Sequence, residues 1–178
     1  MTEKTINNVK IELMRGDIAS QDGLDAVVNA ANAQLKMGGG VAGAIHSGAG
    51  PSLEDETRSL APISPGEAVI TGGHNLPNDH IIHVLGPVYG QDKPEDKLLA
   101  DCYKNALQVA EENNIESIGF PAISTGAFGY PMEDAATVAF QTIKNNITDL
   151  KTVKKIRFIL YGERAMDVHS KVFENIFS

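Results

Sequence analysis

Apolar and polar positions alternate over Val9-Lys-Ile-Glu-Leu13, the period-two pattern of a strand with one solvated face, which places it near a sheet edge. Four later runs are apolar, or nearly so, on consecutive positions: Ala26-Val27-Val28, Ile81 to Leu85, Ser117 to Phe120 and Ile156 to Leu160. Strands covered on both faces read this way. Glu67 to Ile70 supplies a further short strand. Between these runs the spacing changes. From Glu95 to Asn113, residues Leu98, Leu99, Cys102, Tyr103, Ala106, Leu107 and Ala110 recur at steps of three and four, the spacing of a helix with one buried face. Pro131-Met-Glu-Asp opens a second helix, because proline suits the first helical position and acids suit the first turn. It runs on through Val138, Phe140, Ile143 and Ile147. A last helix, about Arg164 to Phe177, buries Val168, Val172, Phe173, Ile176 and Phe177, and Gly38 to Gly40 introduces another around Val41 to Ala49. Strands alternating with helices of this length predict an α/β sandwich with a mostly parallel central sheet. No repeat or linker-like stretch divides the 178 residues, which read as one domain.

Charge narrows the functions. The chain has 15 Lys+Arg against 23 Asp+Glu, a formal net charge of −8. Without a run of cations it lacks the means to hold nucleic acid by neutralising phosphates. The N-terminal residues contain no apolar signal-like core, and no stretch approaches the roughly 18 apolar residues of a membrane span. A cytoplasmic protein that does not engage membranes is expected. One cysteine, Cys102, excludes an internal disulfide and any site built from several thiolates. His80 and His83 lie three apart on a strand and so point to opposite faces. His83 reads as a satisfied core residue and His46 as part of the helix after the glycines; no metal and no cofactor are expected.

The 17 glycines are unevenly spread, and their places carry the functional reading. Ligands of parallel α/β sheets bind beyond the carboxyl ends of the strands. Arg15-Gly16-Asp17-Ile18, Asn29 to Asn32 with Gly38 to Gly43, Pro121 to Tyr130, and Tyr161-Gly162 each follow a predicted strand. The two glycine clusters suggest a phosphate cradle, since glycine lets backbone N–H groups approach an anion closely beside a helix N-terminus. Neither cluster holds a Lys or Arg between Gly38 and Ala44 or between Ser124 and Tyr130. A diphosphate would therefore be gripped by backbone dipoles. Gly38, Gly40 and Gly43 satisfy G-x-G-x-x-G, but about nine residues separate them from the strand that a dinucleotide-binding turn follows directly. No G-x-x-x-x-G-K-[S/T] string occurs.

Taken together, Gly16-Asp17-Ile18, Asp25-Ala-Val-Val-Asn-Ala-Ala-Asn32, Gly38-Gly-Gly-Val-Ala-Gly-Ala-Ile45, His83-Val-Leu-Gly-Pro87, Pro121-Ala-Ile-Ser-Thr-Gly-Ala-Phe-Gly-Tyr-Pro131 and Leu160-Tyr161 resemble a macro domain, the ADP-ribose-binding module. The resemblance runs from about residue 8 to the C-terminus. It implies a three-layer α/β/α sandwich with a mixed, mostly parallel central sheet. It also implies roles. Asp17, with Ile18 beside it, would hold the adenine by accepting from its exocyclic amine, and Tyr161 would stack on the base. Gly39, Gly40 and Val41 on one side, and Ser124, Thr125, Gly126 and Ala127 on the other, would give N–H groups to the diphosphate. Phe128 would pack near the distal ribose and Asn32 would bond one of its hydroxyls. The residues alone leave blander readings open: a solvated turn for Asp17, a half-buried core position for Tyr161, a loop aromatic capping the core for Phe128, and a turn satisfying its own backbone for Asn32.

Many proteins resembling this one hydrolyse the bond between ADP-ribose and a Glu or Asp side chain, or deacetylate O-acetyl-ADP-ribose. In the MacroD-type hydrolases the glycine run ends in Val-Asp, and that Asp activates or positions the water. Here the string is Val41-Ala42, closer to archaeal and viral macro domains, several of which hydrolyse without it. The resemblance then implies substrate assistance, with water held near Ala42 and Phe128 and the ribose oriented by Asn32. A mono-ADP-ribosyl hydrolase acting on ADP-ribosylated proteins is expected, with a non-catalytic ADP-ribose reader as the alternative; RNA binding at the adenine site is disfavoured by the −8 charge.

Overall fold

The structure is a computed structural model that describes residues 2–178. Its seven strands are β1 (Thr2–Ile6), β2 (Val9–Arg15), β3 (Ala26–Ala30), β4 (Ala68–Gly72), β5 (His80–Val84), β6 (Ser117–Phe120) and β7 (Lys155–Leu160). The helices are α1 (Gly40–Ala49), α2 (Ser52–Thr57), α3 (Glu95–Glu112), α4 (Met132–Asn146) and α5 (Glu163–Phe177). All strands form one sheet in the order β1-β2-β7-β6-β3-β5-β4. The five inner strands run parallel, and β1 and β4 close the edges antiparallel. The expected mixed, mostly parallel sheet is present, and its five parallel strands send their carboxyl-end loops to one rim.

Val27 and Ile81 point to one face of the sheet and pack with Ile45 and Ala49 of α1 and Leu53 of α2. Val28, Ile82, Phe120 and Phe158 point to the other face, under α3, α4 and α5. A chain of aromatic rings fills that second layer. Tyr103 lies 5.1 Å from Phe120, and Phe140 meets Phe158 edge-on at 4.8 Å. A third small cluster of Ala31, Leu35, Ile63 and Leu85 sits under the rim itself.

β2 lies near the sheet edge as expected, one strand in from it, because Asn7 and Asn8 adopt left-handed φ of 50° and 64° and fold β1 back along it; paired left-handed residues suit a tight hairpin turn. One feature departs from the sequence expectations: the polar face of β2 is not solvated. Glu12 is only 2% exposed and its Oε1 accepts from Arg157 Nε at 2.7 Å, while Lys10 Nζ lies 3.4 Å from Oε2. Arg157 also donates to Gln21 Oε1 at 3.1 Å, so the segment after β2 covers this ion pair. Burial alone would raise the Glu12 pKa, but the Arg157 hydrogen bond and charge, with Lys10 behind them, bring it below the usual carboxylate value.

Removing one partner of a buried ion pair leaves an uncompensated charge, whereas an apolar replacement of both is close to neutral. Arg157→Met should lower stability by about 3 kcal/mol in urea unfolding at neutral pH, and Glu12→Leu with Arg157→Met should recover most of it. A depressed carboxylate pKa contributes stability above its unfolded value that is lost as the pH falls through the folded one. The single-mutant deficit should accordingly shrink in acid; a deficit unchanged by pH would show that the pair does not carry it.

Candidate functional site

The rim begins at the ends of β2 and β7. Gly16 N–H donates to Leu160 O at 3.0 Å, which fastens the turn after β2 to the last residue of β7. Asp17 Oδ1 accepts the Ala19 N–H at 2.9 Å, the local turn that the sequence allowed. The side chain is exposed, and its second oxygen has no hydrogen bond from the described residues. Ile18 is buried under the same turn, with Leu24 and Val27. Tyr161 is 91% exposed, which removes the half-buried core reading. Arg15, Gly16 and Tyr161 line an open cleft of ≈ 650 Å³.

The N-terminus of α1 follows β3 on the same rim. Gly39 caps it without a side-chain hydrogen bond and no acid sits in the first turn, so the leading N–H groups remain free for an external acceptor. Gly40 has φ +56°, and a Cβ at Gly39 or Gly40 would meet nothing within 4 Å. Gly43 differs: a Cβ there would come 2.6 Å from Gly38 O, so this glycine serves packing inside the loop. The loop after β6, the strand beside β3, is held from within. Ser124, at φ +68°, donates its Oγ–H to Pro87 O at 2.9 Å, Thr125 Oγ1 donates to Ala122 O at 2.9 Å, and Tyr130 N–H donates to Ser124 O at 2.9 Å. With both hydroxyls bonded within the protein, the loop has backbone rather than hydroxyls to offer a ligand. Gly126 and Ala127 are exposed, and a Cβ at Gly126 would meet nothing within 4 Å. Phe128 packs on the cluster of Ala31, Leu35, Ile63 and Leu85, which brings the two loops together and gives the ring the core-capping role.

Asn32 uses its side chain on its own turn: Nδ2 donates to Lys36 O at 2.8 Å and Oδ1 accepts Lys36 N–H at 3.0 Å. One N–H and one lone pair of the amide remain. Ala42 is 5% exposed on the first turn of α1, beside half-buried Val41, and brings no functional group. The structure also places on the rim a loop that the sequence reading stopped short of. Tyr89, after β5, donates its N–H to Phe128 O at 2.9 Å, its ring lies 4.8 Å from Tyr130, and it is 44% exposed. A tyrosine between Pro87 and Gly90, just beyond a strand's carboxyl end, was the signal available.

The macro domain family model matches residues 28–139, a span holding both glycine loops. A macro domain-containing protein of Chlorobaculum tepidum is 45% identical over 93% of this chain and 96% of its own length. The chain belongs to the macro domain family. An O-acetyl-ADP-ribose deacetylase of Klebsiella pneumoniae is 42% identical over 92% of this chain and 96% of its own. An ADP-ribose glycohydrolase of Homo sapiens is 43% identical over 95% of this chain, which spans 40% of that protein. Among solved structures, the Oceanobacillus iheyensis macrodomain with ADP superposes with a TM-score of 0.93 at 37% identity, covering 99% of this chain and 96% of that one. The Trypanosoma brucei macrodomain in complex with ADP-ribose gives 0.84 at 35% identity, over 90% and 68% of the two chains.

The other reactive groups of this macro domain lie away from the rim loops or are held inert. Among the described residues, no three His, Cys, Asp or Glu side chains gather as metal ligands would. His83 is fully buried, bonded to Asn29 and Thr71, and burial drives its pKa down to about 3. The Cys102 thiol is buried against Leu85 O, and burial pushes it up to about 12. Thiolate is the reactive form. The native protein should therefore resist a thiol-exchange reagent at mildly alkaline pH and release one thiol on unfolding; rapid labelling of the folded chain would contradict the burial.

Proposed function

We propose that this macro domain binds ADP-ribose across the rim and releases it by hydrolysis from Glu- or Asp-linked protein adducts, with O-acetyl-ADP-ribose as a second ester substrate. The observation that carries the reading is the pair of cation-free loops, Gly39–Val41 and Ser124–Ala127, which follow the adjacent strands β3 and β6 on one rim with Gly39, Gly40, Gly126 and Ala127 exposed, beside an exposed tyrosine and a half-buried phenylalanine. The names of the Klebsiella and human relatives and the ligands of the two solved macrodomains support it.

In this reading adenine stacks on Tyr161 and gives an amine hydrogen to the free oxygen of Asp17, with Ile18 behind the turn. The diphosphate accepts N–H groups from Gly39, Gly40 and Val41 and from Ser124, Thr125, Gly126 and Ala127. The distal ribose lies against Phe128, and Asn32 bonds it with the amide N–H not used on Lys36. A water between the ligand's α-phosphate and the loop near Ala42 attacks the anomeric carbon. The bond from that carbon to the ester oxygen breaks, the protein carboxylate leaves with its electron pair, and the water proton passes to a phosphate oxygen. A carboxylate needs no general acid to depart, so positioning and electrostatics can carry the step without a dedicated base. Ala42 and the commitment of Asn32 to Lys36 favour one second reading, a reader that binds ADP-ribose without turnover.

A timed assay on Glu-linked mono-ADP-ribosylated protein separates the two readings. The hydrolase reading expects free ADP-ribose from the wild type and a much slower release from Asn32→Ala; wild-type release equal to buffer, with tight ADP-ribose binding, leaves the reader. Asp17→Ala should weaken calorimetric ADP-ribose affinity by about 1–3 kcal/mol, the scale for losing a charged hydrogen-bond partner. Gly40→Glu should abolish binding by bulk and like charge in a folded protein, and an unchanged affinity in either variant would show the ligand to lie elsewhere.

A further inference from the structure

The sheet face beneath α1 carries buried polar groups that the proposed chemistry does not use. Asn29 on β3 and His83 on β5 are register partners and fully buried, on the face where Val27 and Ile81 meet Ile45 and Ala49 of α1. One assignment of the protons satisfies the hydrogen bonds around them. Thr71 Oγ1 donates to Gly72 O at 3.0 Å, so its oxygen accepts the Nε2–H of His83 at 2.9 Å. His83 Nδ1 is then a bare lone pair, and it accepts the Nδ2–H of Asn29 at 3.1 Å. The Asn29 amide is thereby oriented, and its Oδ1 has no donor among the described residues. A second orphan lies in the same layer: His46 of α1 is 4% exposed and its Nε2 has no partner among the described residues. His46 is buried on α1 together with Ile45 and Ala49, the residues that pack on this sheet face.

These groups bear on α1 because apolar packing alone holds that helix loosely. Six of its ten residues are Gly or Ala, and small side chains give few ridges to interlock with the sheet. Directional hydrogen bonds fix a rotation that such a surface leaves soft. Buried orphans of matching polarity are characteristically joined by ordered water.

We propose that Asn29 and His46 are positioning residues for α1, joined by one buried water that bonds Asn29 Oδ1 and His46 Nε2 and so fixes the aim of the Gly39, Gly40 and Val41 N–H groups. The consequence for affinity rests on the ADP-ribose reading above; the water link does not. His46→Leu removes the polar end of the link, and His46→Gln keeps an amide able to bond the same water.

ADP-ribose titrations well below the melting temperature should show His46→Leu about tenfold weaker than wild type, and His46→Gln within about threefold. A residue that only supports the fold would lower the melting temperature and leave the affinity of the folded protein alone. Wild-type affinity in His46→Leu, or His46→Gln as weak as His46→Leu, overturns the proposal. Nuclear magnetic resonance of the wild type decides it if the leucine variant does not fold. A long-lived water coupled to the His46 ring is the expected result, and its absence overturns the link. A wild type that fails to bind ADP-ribose while showing that water would contradict the functional reading and leave the link standing.

Discussion

A diphosphate brings negative charge to a chain that already carries a formal −8, and neither loop proposed to hold it contains a cation. Within those loops backbone N–H groups are the source of positive potential, and they act only where the fold leaves them without internal partners and aims several at one point. The parallel sheet provides the setting for it. Its strands end on one rim, α1 starts there with an uncapped N-terminus, and the loop after β6 turns its hydroxyls inward. Most of what surrounds the rim serves to hold these two stretches of backbone still.

That support comes from residues distant in sequence. Ser124 is tied to Pro87, Tyr89 to Phe128, and Gly16 to Leu160, so each loop is braced by the loop of another strand. The cluster of Ala31, Leu35, Ile63, Leu85 and Phe128 binds the glycine loop to the loop opposite it from below. Rigid placement matters more here than in a cation-lined site, because a backbone dipole loses its effect with small changes of angle, whereas a lysine can swing to follow its anion.

Local pattern made the buried strands legible: consecutive apolar residues in β3, β5, β6 and β7 can only be explained by cover on both faces. The long glycine and asparagine motifs made the rim legible as well. What stayed hidden depended on distant partners. The hairpin strand β1 has three exposed residues of five and no apolar period, and its evidence was the pair Asn7-Asn8. Glu12 looked solvated because Arg157, which neutralises it, lies 145 positions away. At six residues, α2 is too short to announce itself by spacing. For Asn32 the local reading of a self-satisfied turn describes its hydrogen bonds, and for Tyr161 it fails, since the exposure of one ring at a strand end is set by what the rest of the chain leaves uncovered.

The claim that backbone dipoles hold the ligand can be tested by the dependence of ADP-ribose affinity on salt. Anions gripped by mobile cations lose affinity steeply as salt rises, whereas fixed dipoles at close range within a partly buried cleft are screened far less. Calorimetric titrations from about 50 mM to about 500 mM sodium chloride should change Kd by less than about threefold. A Kd that rises tenfold or more over that range would mean that cations on the chain carry the binding, and would contradict the account.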